Sequence, residues 1–365
     1  MTSKEAYIVL NMLQEVGPVR VRRLLEQFGR PEKILEASRS ELLRVDGIGE
    51  EVVRSITSWR EQADLDAELK RIEQAGARVV TCDDADYPKN LRQIYDPPLV
   101  LYVKGELSER DAFSIALVGT RRASVYGQEM ARKLAYQLAR LGVPVISGLA
   151  RGIDTQAHKG ALQAKGRTVA IIGCGLDIVY PAENKKLAEE IVATGGAVVT
   201  EFPFGVPPDR QTFPMRNRII SGWSVGVVVV EANLTSGALI TASLAAEQGR
   251  QVFAVPGRAD SPLSRGTHKL IKDGAKLTED LEDILGEFEY LLPKTESKPV
   301  SVALSLTESE SKVLEVIGEE EVTLDEIIQR SHLTTACVSA TLLALEMKHL
   351  VRQLPGKVFA KRSLN

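Results

Sequence analysis

A doubly wound, mostly parallel α/β sheet is the fold class that this sequence predicts, on three observations. Six short runs, SIALVG, PVISG, TVAIIG, AVVTE, VGVVVVEA and QVFAVPG, are almost continuously apolar, as central strands covered on both faces must be. Segments of helical pattern such as YGQEMARKLAYQLARLG, DTQAHKGALQAKG, NKKLAEEIVATGG and GALITASLAAEQG lie between them, and strand–helix alternation builds a parallel sheet. The loops after the runs (GTRRAS, SGLARGID, GCGLDIVYP, EFPFG, EANLTSGA and PGRADSPLSRG) concentrate Gly, Ser, Thr and Arg. Such sheets bind ligands outside the carboxyl ends of their strands.

The sheet segment occupies residues 76–290, between two helical modules. Residues 1–75 read as a small all-α domain, with apolar residues at helical spacing in YIVLNMLQEV, VRRLLEQFG and EEVVRSI. Gly47-Ile48-Gly49 forms the turn of a helix-hairpin-helix. Glu50 and Glu51 follow it directly and oppose a phosphate contact, so the hairpin reads as structural. Residues 291–305, rich in Pro, Ser and Lys, read as a linker. Residues 306–365 give three helices and a two-stranded wing, a winged helix-turn-helix, with Thr323 and Glu326 spaced as a capping box. That module carries seven Lys/Arg against nine Asp/Glu, and its recognition helix, Thr334–Lys348, has no basic residue before Lys348. This is poor equipment for reading a major groove.

Composition narrows the function. The 365 residues, with 44% hydrophobic and 26% charged residues, describe an ordinary globular protein of two or three domains. Net charge is −3, so any nucleic-acid surface must be a local patch. Cys82, Cys174 and Cys337 are scattered and odd in number, which fits a reducing cytoplasm and no metal site. The N-terminal stretch has no secretory pattern, and no run approaches a membrane span.

Catalytic constellations are thin. Gly173-Cys174-Gly175 follows a strand, but Ile178 stands where a dinucleotide fingerprint needs its third Gly. No P-loop and no serine-nucleophile elbow is present; Ser147 lies in ISGLA. Asp154, Asp177, Glu201 and Glu231 sit near strand ends and are expected to cap helices or pair with arginines. His158 is a lone histidine on a helix. No cofactor and no enzymatic activity are expected.

Binding is better provided for. Gly119-Thr120-Arg121 leads from a strand into a helix, where loop amides can meet a phosphate; a plain tight turn accounts for the same residues. Arg121, Arg122, Arg151, Lys185, Lys186, Arg216, Arg218, Arg258 and Arg265 gather at these loops. Their convergence would make a basic pocket. In FPMRNRIISG, Pro214 as first helical residue puts Arg216 in a first turn, against the helix dipole, so a bound anion is expected. Arg216 and Arg218 project about 200° apart. Arg216 is therefore expected to meet the ligand and Arg218 an internal carboxylate such as Glu201 or Glu231.

The ordered series GTRRASVYG, SGLARGIDTQAHKGAL, TVAIIGCGLDIVYPAENKKL, FPMRNRIISG, EANLTSGALITASLAAEQGRQVFAVPG and GTHKLIKDGAKL resembles the DNA-processing DprA (Smf) family. With the two flanking modules the resemblance covers nearly the whole chain. It implies an extended Rossmann-like fold that binds single-stranded DNA as a homodimer. It also implies protection of incoming strands in natural transformation and the loading of RecA recombinase onto them. By motif it implies DNA contacts from Arg121, Lys185, Arg216 and Arg218. The candidate DNA-binding set along these loops is Gly119, Thr120, Arg121, Ser124, Ser147, Gly148, Gly173, Gly175, Tyr180, Asn184, Lys185, Phe213, Arg216, Asn217, Arg218, Ser236 and Gly237, with bases stacking near Tyr180 or Phe213. A Rossmann-like phosphoribohydrolase acting on nucleotides is the competing expectation, although its PGGxGT signature is missing.

Overall fold

The computed structural model of the chain describes residues 1–288, 307–318, 322–347, 350–354 and 358–361; the linker expected at 291–305 lies outside them. Two compact units result, Met1–Leu291 and Leu292–Asn365.

The first unit is built on a nine-stranded sheet: β1 (Arg78–Thr81), β2 (Val100–Gly105), β3 (Ile115–Val118), β4 (Val145–Ser147), β5 (Thr168–Ile171), β6 (Ala197–Thr200), β7 (Gly226–Val229), β8 (Gln251–Ala254) and β9 (Lys276–Leu277). Their order is β1-β2-β6-β5-β4-β3-β7-β8-β9. The seven strands from β6 to β9 run parallel, while β1 and β2 pair antiparallel at one edge. All six expected strands are present. These are β3 to β8; β1, β2 and β9 add to them at the two edges of the sheet.

Six helices follow the parallel strands: α1 (Val125–Arg140), α2 (Ile153–Gln163), α3 (Lys185–Ala193), α4 (Thr212–Trp223), α5 (Gly237–Glu247) and α6 (Arg265–Lys272). Alternate strand residues face opposite layers, as the pleat requires. Ile115 and Leu117 pack with Leu134, Leu138 and Ala157 of α1 and α2. Ala116 and Val118 pack with Ile219, Trp223 and Ala242 of α4 and α5. The chain winds outward from β3 to β6 and then returns to place β7 beside β3. A crevice is expected where the winding direction reverses, at the carboxyl ends of β3 and β7.

The N-terminal helical segment shares a core with the sheet. Tyr7, Leu10, Leu24, Ile34, Val53 and Ile56 cluster with Val79, Val100 and Tyr102, which face one side of the β1–β2 pair. In the helix-hairpin-helix turn, Gly47 adopts a left-handed φ of 75° with the Arg23 guanidinium lying over it. Arg39 holds Glu50 at 2.8 Å.

In the second unit, helices Glu308–Ile317, Leu324–Ser331 and Thr335–Met347 enclose a core of Val313, Ile327, Val338, Leu342 and Phe359. The expected capping box is present: Thr323 Oγ1 accepts from Glu326 N, and Glu326 Oε2 accepts from Thr323 N at 3.0 Å. The expected two-stranded wing is present, and among the described residues a third short strand joins it. Val322–Thr323 (β10) pairs with Val358–Lys361 (β12), which also pairs with Val351–Leu354 (β11). A two-residue strand has too little pattern to read in sequence.

Candidate nucleic-acid interface

At the switch point a cleft of about 410 Å3 opens, lined by Gly119, Thr120 and Arg121 after β3, Asn233, Thr235, Ser236 and Gly237 after β7, and Arg210, Phe213, Arg216 and Asn217 around the start of α4. Local chemistry fixes each wall. Thr120 N donates to Glu231 O at 2.7 Å, tying the ends of β3 and β7 together. A Cβ on Gly119 would stand 2.5 Å from Ile153 Cγ1, so only glycine admits this approach. Ser124 caps α1 by accepting from Gly127 N at 3.1 Å. The buried Glu231 carboxylate takes the Ser124 hydroxyl at 2.5 Å and its amide at 2.9 Å. Ser236 caps α5, accepting from Ala238 N.

The start of α4 departs from expectation. The helix begins at Thr212, so Pro214 is its third residue and not its first. Thr212 Oγ1 donates to Gly173 O at 2.7 Å, which pins the helix start to the end of β5. Met215 N closes on Gln211 O and is no orphan donor. Arg216 thus lies beyond the first turn, and the dipole conflict that suggested an anion does not arise.

Arg216 is also buried, at 4% exposure. Its Nη1 donates to Gly148 O at 2.5 Å and to Ile171 O, clamping the ends of β4 and β5. Burial lowers its guanidinium to about 10, with neighbouring Asp154 opposing the shift. Burial pushes Asp154 above the usual carboxylate range, opposed by Arg216 and by the amides of Ala150 and Gly148. A Cβ on Gly148 would stand 2.7 Å from Asp154 Oδ2 and collide with the Arg216 guanidinium. Arg216 precedes Ile219, Ile220 and Trp223 by three, four and seven residues, and all three are buried. That helical spacing was the available signal that Arg216 faces inward. Arg218 is the internal clamp expected: it is ion-paired with buried Glu201 and lies 3.2 Å from Asp96. Burial raises Glu201, with Arg218 opposing.

The remaining candidates divide into accessible and structural residues. Arg121 is exposed, with its guanidinium 4.7 Å from the Phe213 ring centroid. Tyr180, 38% exposed, lies 5.7 Å from the same ring at a 38° tilt. Gly173 supports that pair, since a Cβ there would stand 3.1 Å from Phe213 Cδ1. Lys185 is exposed at the start of α3 but does not line the cleft. Ser147 is fully buried and donates to Leu117 O at 2.7 Å. Asn184 is buried and donates to Leu149 O and Thr155 Oγ1 at 2.8 and 2.9 Å. Gly175 packs against Asp177, whose carboxylate accepts from Gly205 N at 3.0 Å. Asn217 lines the cleft and accepts from Arg216 Nε at 3.2 Å. Of the other loop cations, Arg151 pairs with Glu183 and Arg258 with Asp260. Arg210, Asn233 and Thr235 line the cleft without having been singled out in the sequence; Arg210 lies just upstream of FPMRNR, where its charge was the visible signal.

His158 is fully buried on α2, with Nδ1 2.8 Å from Thr168 Oγ1 at the start of β5. The Thr168 hydroxyl gives its proton to Val145 O at 2.7 Å, so His158 Nδ1 carries the hydrogen. Burial lowers this imidazole to about 3, aided by Arg216. It is neutral and structural.

A sequence profile described as DNA recombination-mediator protein A matches residues 78–289. The chain belongs to this family, that of DprA (Smf). Residues 297–357 match the DprA winged helix domain, and residues 8–58 a SAM-like helix-hairpin-helix tandem. Protein Smf of Synechocystis is 35% identical, with 99% of each chain covered. DNA processing protein DprA of Streptococcus pneumoniae is 44% identical over 62% of this chain and 79% of that one. Among solved structures, DprA of Streptococcus pneumoniae is similar with a TM-score of 0.68 and 37% identity, covering 79% of this chain and 98% of the other. DNA processing protein A of Helicobacter pylori, described for its single-stranded DNA binding mode, gives 0.53 and 29%, covering 60% and 99%. No helix among the described residues is long and apolar enough to cross a membrane.

Proposed function

We propose that the chain holds single-stranded DNA along the carboxyl edge of its sheet, shields incoming strands during natural transformation and loads RecA recombinase onto them. The observation that carries this reading is one cleft wall where exposed Arg121 lies over Phe213, which in turn contacts Tyr180. Cations follow a phosphate backbone, and aromatic faces stack unpaired bases whatever their sequence. Arg210 on the cleft and Lys185 on α3 extend the cationic face. The single-strand binding described for the Helicobacter pylori relative supports the same reading. The role is mediation rather than bond-making: Asp154, Asp177, Glu201 and Glu231 are each engaged with backbone amides, a serine or an arginine. The working form in this reading is a cytoplasmic homodimer.

Fluorescence anisotropy with single- and double-stranded oligonucleotides across a salt series tests the proposal. Single strands bind more tightly, and affinity falls as salt rises. Replacing Arg121 and Lys185 together with alanine lowers the slope of log K against log salt by about 1.4, two phosphates' worth for a single strand. Unchanged affinity and slope in that variant would overturn the site assignment. Capture of RecA by the same variant, with sedimentation for the dimer, separates the partner contacts from the DNA contact.

A further inference from the structure

We propose that Asp154 reads the pairing edge of one unpaired base on the floor of the switch-point cleft and selects guanine there. Asp154 borders the cleft yet is only 6% exposed, and Arg216 borders it at 4%. Asp154 Oδ2 accepts from Gly148 N at 3.1 Å and from Ala150 N at 3.4 Å. Oδ1 has no hydrogen-bond partner among the described residues. Arg216 gives Nη1 to Gly148 O and Ile171 O and Nε to Asn217 Oδ1, and its Nη2 is likewise unused. The partnerless side-chain atoms that are sealed from solvent belong to other residues, Glu201, Arg218 and His158 among them. Asp154 Oδ1 and Arg216 Nη2 are therefore open, and the cleft is the space they open to. Deeply buried charged groups with an unused acceptor or donor call for an explanation. Burial works against the ionised form of Asp154, while Arg216, the two amides and Arg121 favour it. An anion at that floor, below Arg121 and Arg210, repels phosphate and accepts from a neutral donor.

A carboxylate oxygen only accepts and a guanidinium only donates, so the match to a base is directional. Guanine's pairing edge presents O6, N1–H and N2–H in a row, one acceptor followed by two donors. Arg216 Nη2 suits O6, and Asp154 Oδ1 suits the two adjacent N–H groups. In thymine, adenine and cytosine the donor stands directly beside a lone pair (on O2 or O4, on N1 and on N3, respectively), which a carboxylate repels. Phe213 lines the same cleft and offers a face for the ring. In a duplex this edge is already paired, so only an unpaired base can present it. The inference rests on the proposed single-strand reading and adds a base preference at one position to binding that is otherwise indifferent to sequence.

The probes are short oligothymidylates that carry one central dG, dI, dA or dC, compared by anisotropy competition. The dG strand is expected to bind about fivefold or more tighter than the all-thymidine, dA and dC strands, the scale of one good base contact. The dI strand keeps O6 and N1–H but lacks the N2 amine, and is expected to fall between. In Asp154→Asn the amide oxygen can keep the contacts to Gly148 N and Ala150 N while the NH2 group takes the place of Oδ1. Acceptor then becomes donor, and the guanine preference is expected to vanish; a merely structural role would weaken all strands together and leave the preference in place. Equal affinity for the strands in wild-type protein would overturn the inference whether or not the variant folds. So would a guanine preference retained in folded Asp154→Asn. Failure of wild-type protein to bind any strand would instead overturn the single-strand reading. Calorimetry with dGMP and dAMP then tests the cleft floor alone, with tighter dGMP supporting it and equal or absent binding overturning it.

Discussion

Two arginines two residues apart in one helix do different work, and neither is a free surface charge. Arg216 holds the carbonyls of Gly148 and Ile171, and Arg218 holds Glu201. Replacing either with alanine leaves buried partners uncompensated, at a cost of about 3–5 kcal/mol. Denaturant unfolding should show that loss in both variants, whereas Arg121→Ala should leave the unfolding midpoint unchanged and weaken single-strand binding. Retained stability in Arg216→Ala, with lost DNA affinity, would show instead that Arg216 acts by direct contact. His158 supplies a pH test. Its folded-state value of about 3 lies below the ordinary 6.5, so between those values the unfolded chain binds the extra proton. Stability from this group is therefore full above about pH 6.5 and falls on acidification, by at most about 1.4 kcal/mol per pH unit. Urea midpoints between pH 7 and 5 should fall less steeply in His158→Gln, which keeps a partner for Thr168.

At the scale of elements, the start of α4 depends on a bond from another part of the chain. Thr212 Oγ1 reaches Gly173 O, and the helix then packs through Ile219, Ile220 and Trp223. Gly173 is the position where this geometry can be adjusted gently. A methyl there presses on the Phe213 ring at 3.1 Å, close enough to displace it slightly. Gly173→Ala is expected to lower single-strand affinity several-fold with little change in melting temperature, read by anisotropy and calorimetry on one preparation. Gly148→Ala is expected to fail more completely, because its methyl would overlap the Arg216 guanidinium; loss of soluble protein on expression is the readout.

For the molecule as a whole, the helical N-terminal segment is part of the sheet's core. Val79, Val100 and Tyr102 lose their cover if that segment is removed. A 76–291 fragment should therefore melt well below a 1–291 fragment in calorimetry. The second unit has its own core around Val313, Val338 and Phe359, so the 1–291 fragment should retain single-strand binding.

The sequence by itself determined the sheet, the loops that gather at its carboxyl edge and the family. Buried parallel strands must be apolar on both faces, and the loops that close on a ligand need glycine and small polar residues, so both leave a local signature. The same reasoning missed β1, β2 and β9. β9 is two residues long and both are exposed, so no apolar run marks it, and β1 has only four residues; β2 carries the apolar run VLYV, which was legible but not singled out. Tertiary structure alone decided which loop cations remain accessible. Arg121 stays outside over Phe213, while Arg216 is drawn inward because α4 packs its Ile219, Ile220 and Trp223 face onto the sheet. A charge looks the same in sequence whether it faces water or a buried carbonyl, and the difference arises from groups many residues away that supply its partners.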